Sequence, residues 1–224
     1  MDKFPRNKKP PVLKDWAYAW IKDRIIDSRY PPGSLLNIEG LSRELEISRT
    51  PIREAILRLE QEGLVTTRPR VGSFVTDIST REFVELLEVR ALVEGFSVRS
   101  LANLLTKDEL TELDEMIASC EKDVTEGNHE AFLTHDISFH SYLIDRTPNP
   151  WLAILMRPVE NLRERKWSIS PENLDHVLAS LVEHRAIIDA LRQGDGQLAC
   201  QRMEEHLDGI RERLLQVAPE VEQH

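Results

Sequence analysis

Four side chains carry the strongest chemical signal in this sequence: Asp136, His140, His184 and His206. On a helical wheel at about 100° per residue, residues 129–146 gather Phe132, Leu133, Ile137, Phe139, Leu143 and Ile144 into one apolar arc. Asp136 and His140 fall in the middle of that arc, one turn apart. Residues 174–193 place His184 between Val177 and Leu191, within the arc of Leu174, Leu178, Leu181 and Ile188. In 195–217, His206 borders the arc of Ala199, Met203, Leu207, Ile210 and Leu214, whereas His135, Ser141 and His176 point elsewhere. A carboxylate turned toward a core is costly unless it is paired or bound to a cation. An Asp/His pair at i, i+4 can chelate one ion from a single helix face. A lone inward histidine is more often a core residue than a ligand. Four coincident placements on three helices, one of them an aspartate, favour a shared cation.

A fifth candidate is Arg90. It and Glu94 both fall in the inward arc of residues 80–104, with Phe83, Leu87, Ala91, Val98 and Leu101. An inward arginine beside a metal complements an organic acid, since a guanidinium pairs bidentately with a carboxylate. The alternative is an internal Arg90–Glu94 pair at i, i+4. Arg163, Arg165 and Arg185 are secondary candidates for the same pocket. A second apolar face on this helix, Val89, Leu92, Val93 and Phe96, suits packing on another domain or another subunit.

The elements that must position these groups divide the chain in two. Its 224 residues include 29 Lys and Arg against 39 Asp and Glu, a net charge of −10, with 41% hydrophobic side chains. That apolar fraction supports a packed core and excludes disorder throughout. No apolar run approaches the roughly 18 residues of a membrane span, and Met1 to Pro11 lacks the apolar centre of a secretory signal. Two cysteines, Cys120 and Cys200, are too few for a disulfide framework. A cytoplasmic location is the expectation. Charge is uneven: residues 1–76 hold 14 basic and 10 acidic side chains, the remaining 148 hold 15 and 29. A basic first third ahead of an acidic remainder suits nucleic-acid binding at one end.

Turn residues also change in density near residue 77. Before it they are frequent (Pro31-Pro32-Gly33, Asn37, Gly40, Gly63, Pro69, Gly72). After it, breaks at Thr106, Gly127-Asn128, Pro148-Asn149-Pro150, Ser170-Pro171 and Gly194-Asp195-Gly196 separate about six helical segments. The predicted organisation is a tail at 1–12, a DNA-binding domain at 13–76, a helical domain at 77–218, to which the second resemblance below gives an effector-binding role, and a tail at 219–224.

The first domain reads as a winged helix-turn-helix. Leu13, Trp16, Ala17, Trp20, Ile21 and Ile25 make one amphipathic helix, and Ile38 to Leu45 a second. After the turn at Glu46-Ile47, Ser48 is placed to cap a third helix reaching about Glu62. Pro51 sits in its first turn, where a missing N–H costs little. Arg49, Thr50 and Arg53 lie at the end that such a motif inserts into the major groove. Arginine there can grip a guanine edge or a phosphate. Gly63 to Thr67 and Ser73 to Val75 flank a basic tip, Arg68-Pro69-Arg70-Val71-Gly72, as a hairpin wing.

Two resemblances sharpen this. Ile47-Ser48-Arg49-Thr50-Pro51-Ile52-Arg53-Glu54-Ala55-Ile56, with Glu62-Gly63-Leu64-Val65 and Val71-Gly72-Ser73-Phe74-Val75, resembles the DNA-binding signature of the GntR family of bacterial transcription regulators. The resemblance implies DNA contacts from Arg49, Thr50 and Arg53, with Gly72 letting the wing approach the minor groove; Ser48 and Arg70 join that set. The sequence departs from the family pattern at Glu39, where some relatives carry a DNA-contacting arginine. It departs again at Glu46, where glycine is usual and another residue implies backbone strain. The second resemblance rests on Asp136-x-x-x-His140, Glu183-His184-Arg185-Ala186-Ile187 and Met203-Glu204-Glu205-His206-Leu207, which are similar to the FCD domain of the FadR subfamily over about residues 80–217. It implies an all-helical bundle holding a divalent metal beside an effector cavity; six helices would resemble the VanR-like variant. Mixed N/O ligands suit zinc, nickel or manganese, with zinc favoured by availability.

The expectation is therefore a mostly α protein, and a ligand-responsive transcription regulator, a homodimeric repressor on near-palindromic operator DNA. Its effector would be a small carboxylate held by Asp136, His140, His184 and His206 through the metal, and by Arg90. It would not be an enzyme. The alternatives are a metal-dependent hydrolase, with Glu94 or Glu183 as base, and a DNA-binding protein whose metal is purely structural.

Overall fold

In the computed structural model, which describes residues 12–128, 131–169 and 174–217, the chain divides into two units, Met1–Ile78 and Ser79–His224. The predicted tails therefore lie, Val12 apart, outside the described residues.

The first unit is built on α1 (Leu13–Ile26), α2 (Ile38–Glu44) and α3 (Arg49–Gln61), followed by β1 (Val65–Arg68) and β2 (Gly72–Val75). Ala17, Ile21 and Ile25 of α1 pack against Ile52, Ala55, Ile56 and Leu59 of α3, and Leu41, Leu45, Leu64 and Val75 close the core. This is the stripe read from the sequence. Asn37 caps α2, its Oδ1 accepting from the amides of Glu39 and Gly40 at 2.9 and 3.0 Å. In the turn to α3, Glu46 takes φ 53°, the left-handed conformation that a side chain adopts at a cost of about 1 kcal/mol. The strain expected of a non-glycine residue here is present. A hydrogen bond from Ser42 Oγ to the Ile47 carbonyl, 2.6 Å, braces the turn.

β1 and β2 pair antiparallel with Arg68 opposite Gly72. Pro69 and Arg70 form the tight turn between them, closed by the Val71 amide on the Arg68 carbonyl, with Arg70 at φ 65°. Proline second and a left-handed residue third is the pattern of a type II turn. Residues 34–36 add a short edge through Leu36 N to Ser73 O and Val75 N to Ser34 O. Gly72 has a reason inside the chain to be glycine: φ is 148°, and a Cβ there would sit 2.6 Å from the Leu35 side chain.

The second unit contains, among the described residues, α4 (Thr80–Leu101), α5 (Lys107–Thr125), α6 (Ala131–Arg146), α7 (Pro150–Ile169), α8 (Leu174–Arg192) and α9 (Gly196–Val217). These are the six helices expected. Both α4 and α5 open on full capping boxes, Ser79 with Glu82 and Thr106 with Glu109, which satisfy orphan amides at each start. α4 packs on α9, α6 and α7; α8 packs on α9 and α5, and α5 on α6. Phe132, Phe139, Leu143, Val177, Leu181, Ile188, Met203 and Leu207 are buried between them. The buried face of α8 is rotated from the predicted arc: Val177, Ser180, Leu181, His184, Ile187 and Leu191 point in, while Leu174 and Leu178 are exposed. The apolar spacing covered more than half the helix circumference, so periodicity alone left the centre of the face undetermined. On α4, Val89, Leu92 and Phe96 are exposed, whereas Val93 packs with Ile144, Met156 and Val159.

Candidate metal centre and nucleic-acid interface

Asp136 and His140 on α6, His184 on α8 and His206 on α9 converge inside the second unit. Each offers one ligand atom, all within 4.8 Å of one another, and all four residues are buried. His184 Nε2 and His206 Nε2 are 3.2 Å apart, and Asp136 Oδ1 is 3.5 Å from the Nε2 atoms of both His140 and His184. Four ligands at about 2.05 Å in a tetrahedron stand about 3.3 Å from each other, so these separations suit a single small divalent ion. His140 Nε2 is buried with no hydrogen-bond partner. The donor set and the orphaned nitrogen both fit a metal.

Behind each of three ligands stands a charged partner. Glu183 Oε2 accepts from His206 Nδ1 at 2.7 Å, and Arg213 of α9 donates to both Glu183 oxygens at 2.8 and 3.1 Å. Glu94 Oε2 lies 2.5 Å from His140 Nδ1, a close approach outside regular hydrogen-bond geometry. Arg90 holds the same carboxylate, Nε to Oε1 at 2.6 Å and Nη2 to Oε2 at 3.5 Å. Arg163 Nη1 stands 3.2 Å from Asp136 Oδ2, yet Nε, Nη1 and Nη2 of this buried guanidinium make no hydrogen bond among the described residues. Such partners fix ring orientation and tautomer, leaving Nε2 of His140 and His206 to face the common centre.

The protonation states follow. Burial alone would raise the Asp136 carboxyl, but Arg163 and then His140 outweigh it and hold it well below the ordinary carboxylate range. Burial, with His206 and His140 alongside, pushes His184 well below the usual imidazole range; burial also lowers His206 against the pull of Glu183. Asp136 is ionised and His184 and His206 are neutral near pH 7, the forms that bind a cation.

Two sequence expectations change here. Arg90, read as the effector anchor, spends its guanidinium on Glu94 at i, i+4, the alternative left open. Arg185 is half exposed and pairs with Glu121 at 2.5 Å on the surface, away from the cluster. Among the secondary candidates Arg163 adjoins the site; the Arg165 side chain lies outside the described residues. Arg213 was missed, although its spacing of seven from His206 puts the two on one helix face.

On the first unit, Ser48, Arg49, Thr50, Arg53 and Arg70 are all exposed, and Gly72 is partly so. Ser48 has the backbone of an N-cap, but its hydroxyl makes no capping bond, and Pro51 brings no amide. The start of α3 therefore presents unsatisfied N–H groups to solvent beside Arg49 and Arg53, a surface suited to phosphate.

A model of bacterial regulatory proteins of the gntR family matches residues 13–75, and one of the FCD domain matches residues 85–209. The chain belongs to the GntR family of bacterial regulatory proteins. It is similar to the Uxu operon transcriptional regulator of Escherichia coli K12, 28% identical over 88% of this chain and 85% of that one. It is also similar to a protein of Paenarthrobacter nicotinovorans named "Probable D-xylose utilization operon transcriptional repressor", 30% identical with 82% and 80% covered. The fold matches a GntR transcriptional regulator of Rhodococcus sp. RHA1 with a TM-score of 0.75 at 24% identity, covering 91% of this chain and 97% of the other. As a GntR-family member it is a DNA-binding transcription regulator, not an enzyme, which displaces the hydrolase alternative. The two carboxylates considered as its general base are occupied, Glu94 by Arg90 and Glu183 by His206 and Arg213. No helix among the described residues is long and apolar enough to cross a membrane.

Proposed function

We propose that this GntR-family chain is a metal-assisted, ligand-responsive repressor, acting as a homodimer on near-palindromic operator DNA. The observation that carries the sensor half is the buried cluster of Asp136, His140, His184 and His206, which would hold one divalent ion, zinc before nickel or manganese. When bound, the ion supplies a Lewis-acid anchor for an oxygen of a small carboxylate effector. Arg163 supports the same ligand class: it is a buried cation with three unspent donor nitrogens beside Asp136, and guanidinium pairs bidentately with carboxylate. Arg163 thus takes the anchoring role that the sequence assigned to Arg90. Arg90 and Glu94 instead orient His140.

The DNA half rests on Ser48, Arg49, Thr50 and Arg53 at the start of α3, with Arg70 at the wing tip and Gly72 behind it. Two copies related by a two-fold axis would set two recognition helices on successive half-sites. The exposed Val89, Leu92 and Phe96 stripe on α4 offers apolar surface for that pairing. α4 is also the first helix after the DNA-binding unit, and its Glu94 approaches His140. A ligand that alters the site therefore acts on the helix nearest in sequence to the wing, and operator affinity changes by its differential binding to two states.

The test is metal analysis of the purified full chain, then gel-shift titration against acetate, lactate, succinate and citrate, using a duplex selected by the chain from random sequence. About one metal per chain and a 5- to 150-fold weakening of DNA binding by at least one acid is the expected result. Metal-free protein with unaltered DNA binding in every acid would overturn the sensor half. Bound metal whose removal unfolds the chain, with no acid effect, would make the metal structural.

A further inference from the structure

Arg49 is not a free cation. Its Nη2 lies 2.8 Å from Glu39 Oε1, joining the first turn of α3 to the first turn of α2, with the two side chains 58% and 63% exposed. Arg53 and Arg70, the other arginines of the DNA-reading set, make no ion pair among the described residues. An exposed pair of this kind contributes little to folding, so its consequence must lie in what Arg49 meets outside the molecule.

The backbone that carries Glu39 is fixed at the start of α2. The Glu39 amide donates to Asn37 Oδ1 at 2.9 Å, and the Glu39 carbonyl accepts from Arg43 Nε at 3.4 Å. A guanidinium has five N–H donors in a planar fork. Glu39 Oε1 takes one of the two Nη2 hydrogens, so one forked edge, Nη2 with Nη1 or Nη2 with Nε, remains for a two-acceptor partner. In the major groove that edge is O6 and N7 of guanine. A carboxylate at the same place repels phosphate, so it weakens contacts that carry no sequence information while steering Arg49 toward a base.

We propose that Glu39 is a specificity-determining residue of the DNA-reading surface, orienting Arg49 for a guanine edge and disfavouring its use on phosphate. The inference rests on the reading that α3 enters the major groove. It contrasts Arg49, which would specify, with Arg53 and Arg70, which are free to position the protein on phosphates.

The experiment selects duplexes carrying 24 randomised base pairs with the full chain as wild type, Glu39→Gln and Arg49→Ala, each checked for an unchanged melting temperature, and sequences the bound fractions. Wild type is expected to enrich a site with a guanine in each half. Arg49→Ala should flatten the preference at that guanine, and Glu39→Gln should weaken it about ten-fold at the same position. Binding of Glu39→Gln to an unrelated duplex should tighten several-fold and become more salt-dependent. An unaltered preference at the Arg49-dependent position in Glu39→Gln overturns the proposal. So does equal tightening on all sequences, which would make Glu39 a general brake on binding. Wild-type protein that enriches no sequence removes the major-groove reading itself, and this inference with it.

Discussion

The DNA-reading surface and the buried cluster use the same kinds of side chain under opposite conditions. At the start of α3 the charges are solvated, and each is worth little until DNA arrives. Between α6, α8 and α9 the ionisable groups are almost dry, and three of the four ligands have a charged partner behind them: Asp136 has Arg163, His206 has Glu183 and His140 has Glu94. Surface charges can be exchanged with small effects on folding, whereas removing one member of a buried network strands its partner. The two regions should therefore respond to substitution in different currencies, binding in one and stability in the other.

The sharpest break of that contrast is Asp136→Ala. It removes the one carboxylate in ion-pair contact with the buried Arg163 guanidinium among the described residues, leaving Glu94 and Glu160 as more distant counter-charges. Breaking a buried pair costs about 3–5 kcal/mol. Urea denaturation of metal-free protein should show a loss of that size, against less than about 0.5 kcal/mol for Arg53→Ala on the exposed face. A loss below about 1 kcal/mol for Asp136→Ala would mean that Arg163 finds water or another partner, and the distinction between the regions would weaken.

Next in size is Glu183→Ala. It removes the acceptor that orients His206 and frees Arg213, and loss of such a partner lowers metal affinity about 10- to 100-fold. Calorimetric titration with zinc measures this directly. Unchanged affinity would show that packing alone orients the ring. Glu183→Gln, which keeps an acceptor oxygen but loses the charge, should fall between the two.

How much of this was legible in the sequence also divides by region. Asp136, His140, His184 and His206 could be found because a polar residue in the middle of an apolar arc violates the helical pattern. The groups behind them could not be ranked the same way. Arg163 and Arg90 both read as inward arginines, and only tertiary packing shows that Glu94 occupies one while the other is left with unspent donors. The face of α8 was placed off centre because Leu174 and Leu178 are exposed leucines on a helix with too many apolar positions to define one stripe. On the first unit the helices and the wing followed from apolar spacing and turn residues, and the turn strain at Glu46 from the resemblance to the GntR family, in which glycine is usual there. The Glu39–Arg49 pair did not, since it joins two helices through side chains ten residues apart.

Acidity offers a smaller effect that separates the regions. All seven histidines lie beyond residue 128. His184 and His206 have folded-state values below the unfolded imidazole, so the unfolded chain binds more protons in that interval and stability rises with pH. Their contribution is fully present above the unfolded value of about 6.5 and is lost as pH falls below it toward the folded values. Hydrogen exchange on chelated protein should show residues 79–217 losing protection between pH 7 and 5.5 while residues 12–78 keep theirs. Equal loss in both would mean that the buried imidazoles are not the cause.

The smallest stability effect sharpens the comparison from the other side. Among the described residues three serines or threonines stand at helix N-caps, Ser48, Ser79 and Thr106, and two of them use the hydroxyl to cap. Ser79→Ala and Thr106→Ala should each cost about 1 kcal/mol. Ser48→Ala should cost less than about 0.5 kcal/mol, because no capping bond is lost. If the Ser48 hydroxyl is instead reserved for the DNA backbone, the same substitution should weaken binding several-fold across all sequences, with base preference unchanged. Thermal melts of the three variants and gel shifts of Ser48→Ala read both sides. A Ser48→Ala protein as destabilised as Thr106→Ala would place the hydroxyl in the fold and take it out of the DNA-reading surface.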